Sequence, residues 1–260
     1  MRRWITVLKI FLWAAFLISS YEACAQNIIA DSSPASYSFR RAVDLYHRFL
    51  SPERGLYNGS EYAYNAYYPF TINEGHPFFQ SKGFDTGSVF YDGVLYENVP
   101  LLFDIVKTEL LTHDPTNNYI MRLNGERVEW FTIWGHTFIR LSADPATSSL
   151  HTGFYDLLYN GKTALYKRVS KIFKENSSSF QGLKIYPVES NEYFIRSDDR
   201  YYAVKNKTSL LLIMGKKKKA VAQFMKKNKL KLRSAREYAL IKIVSYYDAI
   251  NNNNTEGVNR

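Results

Sequence analysis

The stretch that decides the fold is GSVFYDGVLYENVPLLFD, residues 87–104. Its apolar and aromatic residues run up to Asp92-Gly93 and resume directly after that pair. An Asp-Gly pair supplies the positive φ angles that a two-residue β-hairpin turn requires. The stretch therefore predicts two antiparallel strands joined by a tight turn.

Similar turn signals recur towards the carboxyl terminus. Asn124-Gly125 and Asn160-Gly161 each lie between apolar segments, and Ser197-Asp198-Asp199 separates two aromatic runs. About ten strands are expected from residue 77 to 205, and a sheet that wide tends to curl or to form two packed layers. Replacing the glycine of any Asp-Gly or Asn-Gly turn by Val is predicted to destabilise the fold by about 1–3 kcal/mol.

The carboxy-terminal part, about 208–250, predicts a basic helical pair. Ser234 and Glu237 have the spacing of a capping box at the start of the second helix. Apolar residues then recur at helical spacing, at Leu240, Ile243, Val244 and Tyr247. Residues 210–214 fit a strand or a helical turn. The polar segment 251–260 predicts a disordered tail.

The amino terminus has the three parts of a secretory signal. Basic residues come first, at Arg2, Arg3 and Lys9. The apolar run 10–18 follows, and it is shorter than the roughly 20 residues that span a bilayer. Ala23-Cys24-Ala25 has the small-x-small pattern of a cleavage site. Residues 1–25 therefore predict a signal peptide, and the mature chain would begin at Gln26 in the periplasm, the cell envelope or the medium.

Cys24 is the one cysteine of the chain. A lipid on Cys24 and a retained membrane anchor are the alternatives to cleavage, although Tyr21-Glu22-Ala23 fits a lipidation motif poorly. Without Cys24 the mature protein can form no disulfide, thiolate metal site or cysteine nucleophile. No later apolar stretch is long enough for a transmembrane span.

These patterns together predict an α+β fold. Its main part would be a wide, curved antiparallel β-sheet, arranged as a meander, a half-barrel or a sandwich. An amino-terminal helix at about 38–50 would precede the sheet, and the basic helical pair would follow it. Residues 26–250 are expected to form one domain, since all-β domains commonly reach about 200–250 residues.

Positive charge is concentrated near the carboxyl terminus. The chain has a formal net charge of +10, and residues 205–242 contain thirteen lysines and arginines against the single acid Glu237. The run Lys216, Lys217, Lys218, Lys219 is its densest part. An exported protein does not meet nucleic acid, so the predicted partners are anionic lipid, lipopolysaccharide or an envelope protein. The alternative is a solvated helix face that keeps the protein soluble.

The usual catalytic motifs are absent from the sequence, including those for zinc, serine nucleophiles, phosphates and dinucleotides. No cofactor and no metal are expected. The candidate catalytic residues are His113, Asp114 and His136, which could meet across strands as a base and the group that orients it. The alternative is that these histidines are scattered surface residues.

Trp130 and Trp134 are the tryptophans that remain after removal of the signal peptide. If residues 128–134 form a strand, Trp130, Thr132 and Trp134 point to the same face. They would then form an aromatic platform for an acyl chain or a sugar ring. Packing within the core is the alternative.

Four stretches resemble a known family: LYNGSEY at 56–62, the hairpin 87–104, GFYDLLYNGKTALYKR at 153–168, and residues 218–248. The family consists of uncharacterised exported proteins of Gram-negative bacteria. The resemblance implies export and a shared β-rich fold, and it implies no catalytic residue. We therefore expect a non-catalytic cell-envelope protein that binds a lipid, a glycan or a partner protein. The alternatives are an exported hydrolase and a structural subunit of an envelope complex.

Overall fold

Eleven antiparallel strands form one open sheet in this computed structural model, which describes residues 55–113, 119–143, 150–178 and 182–252. In chain order the strands are β1 Ser60–Glu61, β2 Asp85–Tyr91, β3 Val94–Asp104, β4 Glu109–His113, β5 Ile120–Arg122, β6 Val128–Ile133, β7 His136–Leu141, β8 Gly153–Asn160, β9 Ala164–Ser178, β10 Gly182–Ser197 and β11 Arg200–Ala203. Across the sheet they lie in the order β1-β5-β4-β3-β2-β6-β7-β8-β9-β10-β11. The predicted wide antiparallel sheet is confirmed.

Most helices of the described chain follow the sheet. They are α1 Tyr64–Tyr67, α2 Lys207–Ile213, a 3₁₀ turn Gly215–Lys217, α3 Lys218–Lys227 and α4 Arg236–Asn252. Three α-helices therefore stand where two were predicted, because residues 207–213 are helical. None of the helices in the described ranges is both long and apolar enough to cross a membrane.

Several predictions concern residues that the structure does not describe. These are the signal peptide 1–25, the helix at 38–50 and most of the tail at 251–260. Only the start of that tail is described, and there α4 continues through Asn252.

Two of the predicted hairpins are present, and each has a two-residue turn. Asp92 and Gly93, between β2 and β3, have φ angles of 53° and 77°. Asp198 and Asp199, between β10 and β11, have φ angles of 49° and 57°. Positive φ at both central residues matches the right-handed twist of the strands that such a turn joins.

The two Asn-Gly pairs do not form the two-residue hairpin turns that were predicted for them. Asn124-Gly125 links β5 to β6, which do not pair because β4, β3 and β2 lie between them. The pair therefore connects two meanders and forms no hairpin. Asn160-Gly161 does belong to a hairpin, but Asn160 pairs with Ala164, so the loop has three residues. Gly161 does not have the positive φ that was expected of it.

Two of the hydrophobic clusters of the described chain meet along β9. Leu165, Lys167 and Val169 are two residues apart on this strand, so their side chains share one face of the sheet. Leu165 belongs to the cluster under the helices, which also contains Leu240 of α4. Val169 belongs to the cluster around Phe131 of β6. Lys167 therefore lies at the seam between the two clusters.

Carboxylates near both ends of α4 attach this helix to the sheet. Near its start, Glu237 Oε2 accepts a hydrogen bond from Lys167 Nζ at 2.8 Å. Near its end, both oxygens of the buried Asp248 accept from Thr163 N, at 3.1 and 3.0 Å. These contacts hold the basic helices at a defined place on the sheet.

Candidate functional site

The carboxy-terminal helices enclose a cleft of about 1240 Å³. Its walls are the start of α2, the second half of α3, the connection that follows α3, and the start of α4. The lining residues are Lys205, Asn206, Lys207, Thr208, Ala222, Gln223, Met225, Lys226, Leu230, Lys231, Leu232, Arg233 and Arg236. We call this space the basic cleft.

Local sequence positions each wall of the basic cleft. Asn206 caps α2, because its side chain accepts a hydrogen bond from Ser209 N while Ser209 Oγ accepts one from Asn206 N. On α3, Val221 and Met225 are buried against the other helices. This packing turns Lys226, the residue after Met225, towards the cleft.

The lining of the basic cleft combines positive charge with apolar surface. The charged residues are all basic: Lys205, Lys207, Lys226, Lys231, Arg233 and Arg236. The apolar part consists of Ala222, Met225, Leu230 and Leu232. No Asp or Glu is among the lining residues, so nothing in the lining neutralises these cations.

Arg236 is the cation of the cleft with the most defined position. Its Nη2 atom donates hydrogen bonds to the carbonyl oxygens of Val204 and Lys205, the second at 3.0 Å. Its guanidinium carbon lies 5.0 Å from the centroid of the Tyr193 ring. An arginine over an aromatic ring gains about 0.5–1 kcal/mol at an exposed site. The contacts therefore hold this charge in place before any ligand arrives.

The lysine run found in the sequence lies beside the cleft. Lys216 and Lys217 belong to the 3₁₀ turn, and Lys218 and Lys219 begin α3. None of the four lines the basic cleft. Both the run and the cleft belong to the basic block 205–242, in which Glu237 is the single acid. Which basic side chains line the same cleft depends on how the helices pack, and the sequence of the lysine run does not show this.

A second group of polar residues crosses the seam of the sheet, and we call it the seam row. His136 Nδ1 lies 2.7 Å from Asp156 Oδ2, and Lys167 Nζ lies 3.3 Å from the same oxygen. Lys167 Nζ also bonds Glu237. The side chains of Asp156 and Lys167 are only 2% and 9% exposed, whereas that of His136 is 25% exposed.

The contacts of the seam row form a chain of hydrogen bonds. Asp156 Oδ2 can only accept, so the Nδ1 atom of His136 carries a proton and donates it. The Nε2 atom of His136 then accepts from the amide nitrogen of Gln80, 3.0 Å away. Burial by itself would lower the pKa of Lys167, but its bond to Glu237 and the charge of Asp156 outweigh burial and raise that pKa.

The predicted catalytic residues are not brought together. His113 ends β4 and His136 begins β7, and β3, β2 and β6 lie between these strands. At about 4.8 Å per strand, this order separates them by roughly 19 Å. Asp114 lies outside the described residues. The carboxylate that orients His136 is Asp156, which sequence reasoning missed because it is twenty residues away and shows no motif.

The two tryptophans do not form a joint platform. Trp134 lies in the turn between β6 and β7, where Trp134 and Gly135 have φ angles of 53° and 74°. Its backbone N–H donates to Asp85 Oδ2 at 2.6 Å. Trp130 is half-buried on β6 and stacks on Phe90 of β2, with ring centroids 6.1 Å apart. Strand β6 ends one residue before Trp134, so the predicted shared face is lost.

Asp104 is a third buried carboxylate, and its partners indicate a structural role. The hydroxyls of Tyr62 and Tyr68 donate to its Oδ2 atom, and two backbone N–H groups of the β3–β4 turn donate to its Oδ1 atom. Burial, with the bond to Asp104, raises the pKa of Tyr68. With both oxygens occupied, Asp104 has no free acceptor for a ligand.

The basic cleft and the exposed edge of the seam row at His136 are therefore the candidate sites that the described residues support best. Over the same ranges, no three His, Cys, Asp or Glu side chains lie together in a way that could hold a metal ion. Comparison of the chain with known protein families, curated proteins and solved structures gives no match.

Proposed function

We propose that this protein is a non-catalytic protein of the cell envelope that binds anionic lipid through its basic cleft. The observation that carries the proposal is the lining of the cleft, where six cations and four apolar residues occur without an acid. A group of like charges repels itself and lowers stability. Such a group is therefore expected where an anionic partner compensates for the repulsion.

The expected energy is sufficient for binding to a membrane surface. Each basic residue close to an anionic lipid surface contributes about 1 kcal/mol, and several act together in the cleft. The interaction is also sensitive to salt, because the Debye length falls from about 10 Å at 0.1 M to about 3 Å at 1 M.

The amino-terminal sequence supports an envelope ligand. The predicted signal peptide and the resemblance to exported proteins would bring the mature chain to membranes that contain anionic lipid or lipopolysaccharide. Nucleic acid would not be present there. We further propose that the sheet is curved, since strands twist and a sheet of more than about ten strands seldom stays flat. It would serve as the scaffold on which the helices are mounted.

Co-sedimentation tests the proposal with the protein purified from cells that export it. Vesicles of phosphatidylglycerol mixed with phosphatidylcholine should sediment the protein at low salt and release it at high salt. Vesicles of phosphatidylcholine alone should leave it in the supernatant. Equal sedimentation with both kinds of vesicle would contradict the proposal.

Two variants of equal charge locate the binding surface. The cleft variant carries Lys226→Gln, Lys231→Gln and Arg233→Gln, and the run variant carries Lys217→Gln, Lys218→Gln and Lys219→Gln. Both lose three positive charges. We expect the cleft variant to lose roughly a hundredfold in affinity, as three contacts of about 1 kcal/mol each imply, and the run variant to lose less. An unchanged cleft variant would contradict the proposal.

The geometry of His136 favours a second candidate function, that of an exported hydrolase. A buried carboxylate at 2.7 Å orients its imidazole, as in a general base, and a substrate would have to replace the Gln80 amide nitrogen that lies 3.0 Å from Nε2. His136 does not line the basic cleft. Turnover of a panel of esters and amides that is abolished by His136→Gln would support this function and displace the first proposal.

The third candidate is a structural subunit of an envelope complex. Native mass spectrometry of the protein taken from its own envelope fraction separates the candidates. A retained lipid would support the proposed function, and a retained protein partner would favour the subunit.

A further inference from the structure

We infer that the basic cleft holds the phosphate monoester headgroup of an acylated lipid, one molecule per chain. This inference rests on the proposed function and narrows it. Diffuse attraction to an anionic surface needs only exposed charge, whereas a discrete site needs cations that converge on one place. The structure has both kinds of surface, since the lysine run is outside the cleft and six other cations line it.

The charge of the cleft suits a phosphate monoester. Such a group carries about −1.5 to −2 at pH 7 and presents three strong acceptor oxygens. The cleft offers four lysine ammonium groups and two guanidinium groups, all of them donors only. Arg236 is held in place by backbone carbonyls and by the Tyr193 ring. A carboxylate, with one charge and two oxygens, would leave more of these donors without a partner.

The apolar part of the lining indicates which kind of phosphate would bind. No Phe, Tyr, Trp or His is among the lining residues. Recognition of a nucleobase or a sugar ring generally uses aromatic stacking, so the cleft lacks a platform for either. The side chains of Met225, Leu230 and Leu232 are flexible or aliphatic, as an acyl chain requires.

The size of the cleft agrees with a ligand larger than an ion. At about 1240 Å³ it exceeds the roughly 300–1,000 Å³ of a typical small-molecule pocket. Inorganic phosphate would fill a small part of this space. A headgroup together with the first segment of its acyl chains would cover both the basic and the apolar lining.

Titration calorimetry with soluble ligands tests the inference without a membrane surface. The probe is dihexanoyl phosphatidic acid, used below the concentration at which it forms micelles. The comparison ligands are inorganic phosphate, dihexanoyl phosphatidylcholine and hexanoate. We expect saturable binding of one phosphatidic acid per chain, at least about tenfold tighter than any comparison ligand, a difference of about 1.4 kcal/mol.

Two variants separate the two halves of the site. Lys231→Gln combined with Arg233→Gln should weaken the binding of both phosphatidic acid and inorganic phosphate. Leu232→Asn should weaken phosphatidic acid and leave inorganic phosphate unchanged. Lys217→Gln combined with Lys218→Gln has the same charge change outside the cleft and should leave the soluble ligand bound as before.

The outcomes distinguish this inference from the proposed function. If phosphatidic acid binds no tighter than phosphatidylcholine, the discrete site is refuted, and salt-sensitive sedimentation with anionic vesicles would still support the broader function. If inorganic phosphate binds as tightly as phosphatidic acid, the cleft is a site for free phosphate and the lipid is refuted. If neither the soluble ligand nor the vesicles bind, both proposals fail together.

Discussion

The seam row and the basic cleft are both rich in charge, but they differ in balance and burial. In the seam row, Asp156 and Glu237 both contact Lys167, and the central acid and lysine, Asp156 and Lys167, are buried. In the cleft, none of the six cations has a salt-bridge partner within the described chain. Buried charges that are paired with an opposite charge hold elements together, whereas accessible cations without an acidic partner are available to a ligand. The difference separates polar residues that hold the fold together from the cations to which the proposed function assigns binding.

Breaking the seam row should have the largest effect on stability. We expect Lys167→Met to lower the free energy of unfolding by about 3–5 kcal/mol, because it leaves the Asp156 carboxylate buried without its cation. Chemical denaturation measures this loss. Adding Asp156→Asn to Lys167→Met should recover part of it, and a Lys167→Met protein as stable as the wild type would show that the row is not structural.

The raised pKa of Lys167 predicts how stability depends on pH. The pKa of Lys167 is higher in the folded protein than in the unfolded chain, whose lysines have a pKa of about 10.4. Its contribution is therefore complete below about pH 10.4 and is lost as the pH rises through the folded value. Denaturation curves of the wild type and Lys167→Met should thus converge at high pH, and a constant difference would contradict the assignment.

Replacing Gly161, in the β8–β9 turn, should have the next largest effect on stability. A Cβ atom at Gly161 would lie 2.3 Å from Asp248 Oδ2 and 2.7 Å from the Tyr159 hydroxyl oxygen. Gly161→Val should therefore displace Asp248 from Thr163 and cost about 1–3 kcal/mol. Thermal unfolding measures the effect. Gly125→Val is the matched control, because its Cβ would meet only the Phe154 ring at 3.9 Å, so the earlier expectation for Gly125 is revised to almost no effect.

Gly93 should show the purely local cost of a hairpin turn. Nothing lies within 4 Å of a Cβ atom placed there, but its φ of 77° is unfavourable for a β-branched residue. Gly93→Val should cost about 1–3 kcal/mol, and Gly93→Asn less, since Asn tolerates positive φ. Equal melting temperatures for the two variants would show that the turn adapts.

The smallest effect on stability is expected in the basic cleft. Lys226→Gln, Lys231→Gln and Arg233→Gln together should change the free energy of unfolding by at most about 0.5 kcal/mol, the usual range for exposed positions. Relief of repulsion should make the change slightly stabilising at low salt and negligible at high salt. A large loss of stability would show that these cations support the fold, and the comparison with the seam row would then fail.

The sequence alone was sufficient for the features that depend on neighbouring residues. The turn at Asp92-Gly93 was predictable because these residues readily adopt a positive φ, and a hairpin around Ser197-Asp198-Asp199 was predictable from turn residues between two aromatic runs. The apolar spacing of α4 likewise indicated a helix, since it repeats within one element. The excess of lysine and arginine in residues 205–242 follows from the composition of that segment.

Tertiary structure decided everything that joins distant parts of the chain. Asn124-Gly125 has the signature of a hairpin, yet the pairing of β6 with β2 makes it a link between two meanders. Glu237 has the spacing of a capping box with Ser234, yet α4 begins at Arg236 and Glu237 bonds Lys167, seventy residues away. The grouping of cations in the cleft and the pairing of His136 with Asp156 likewise join residues that are far apart in the sequence. Their energies come from contacts between elements, and no short stretch of sequence encodes which elements will meet.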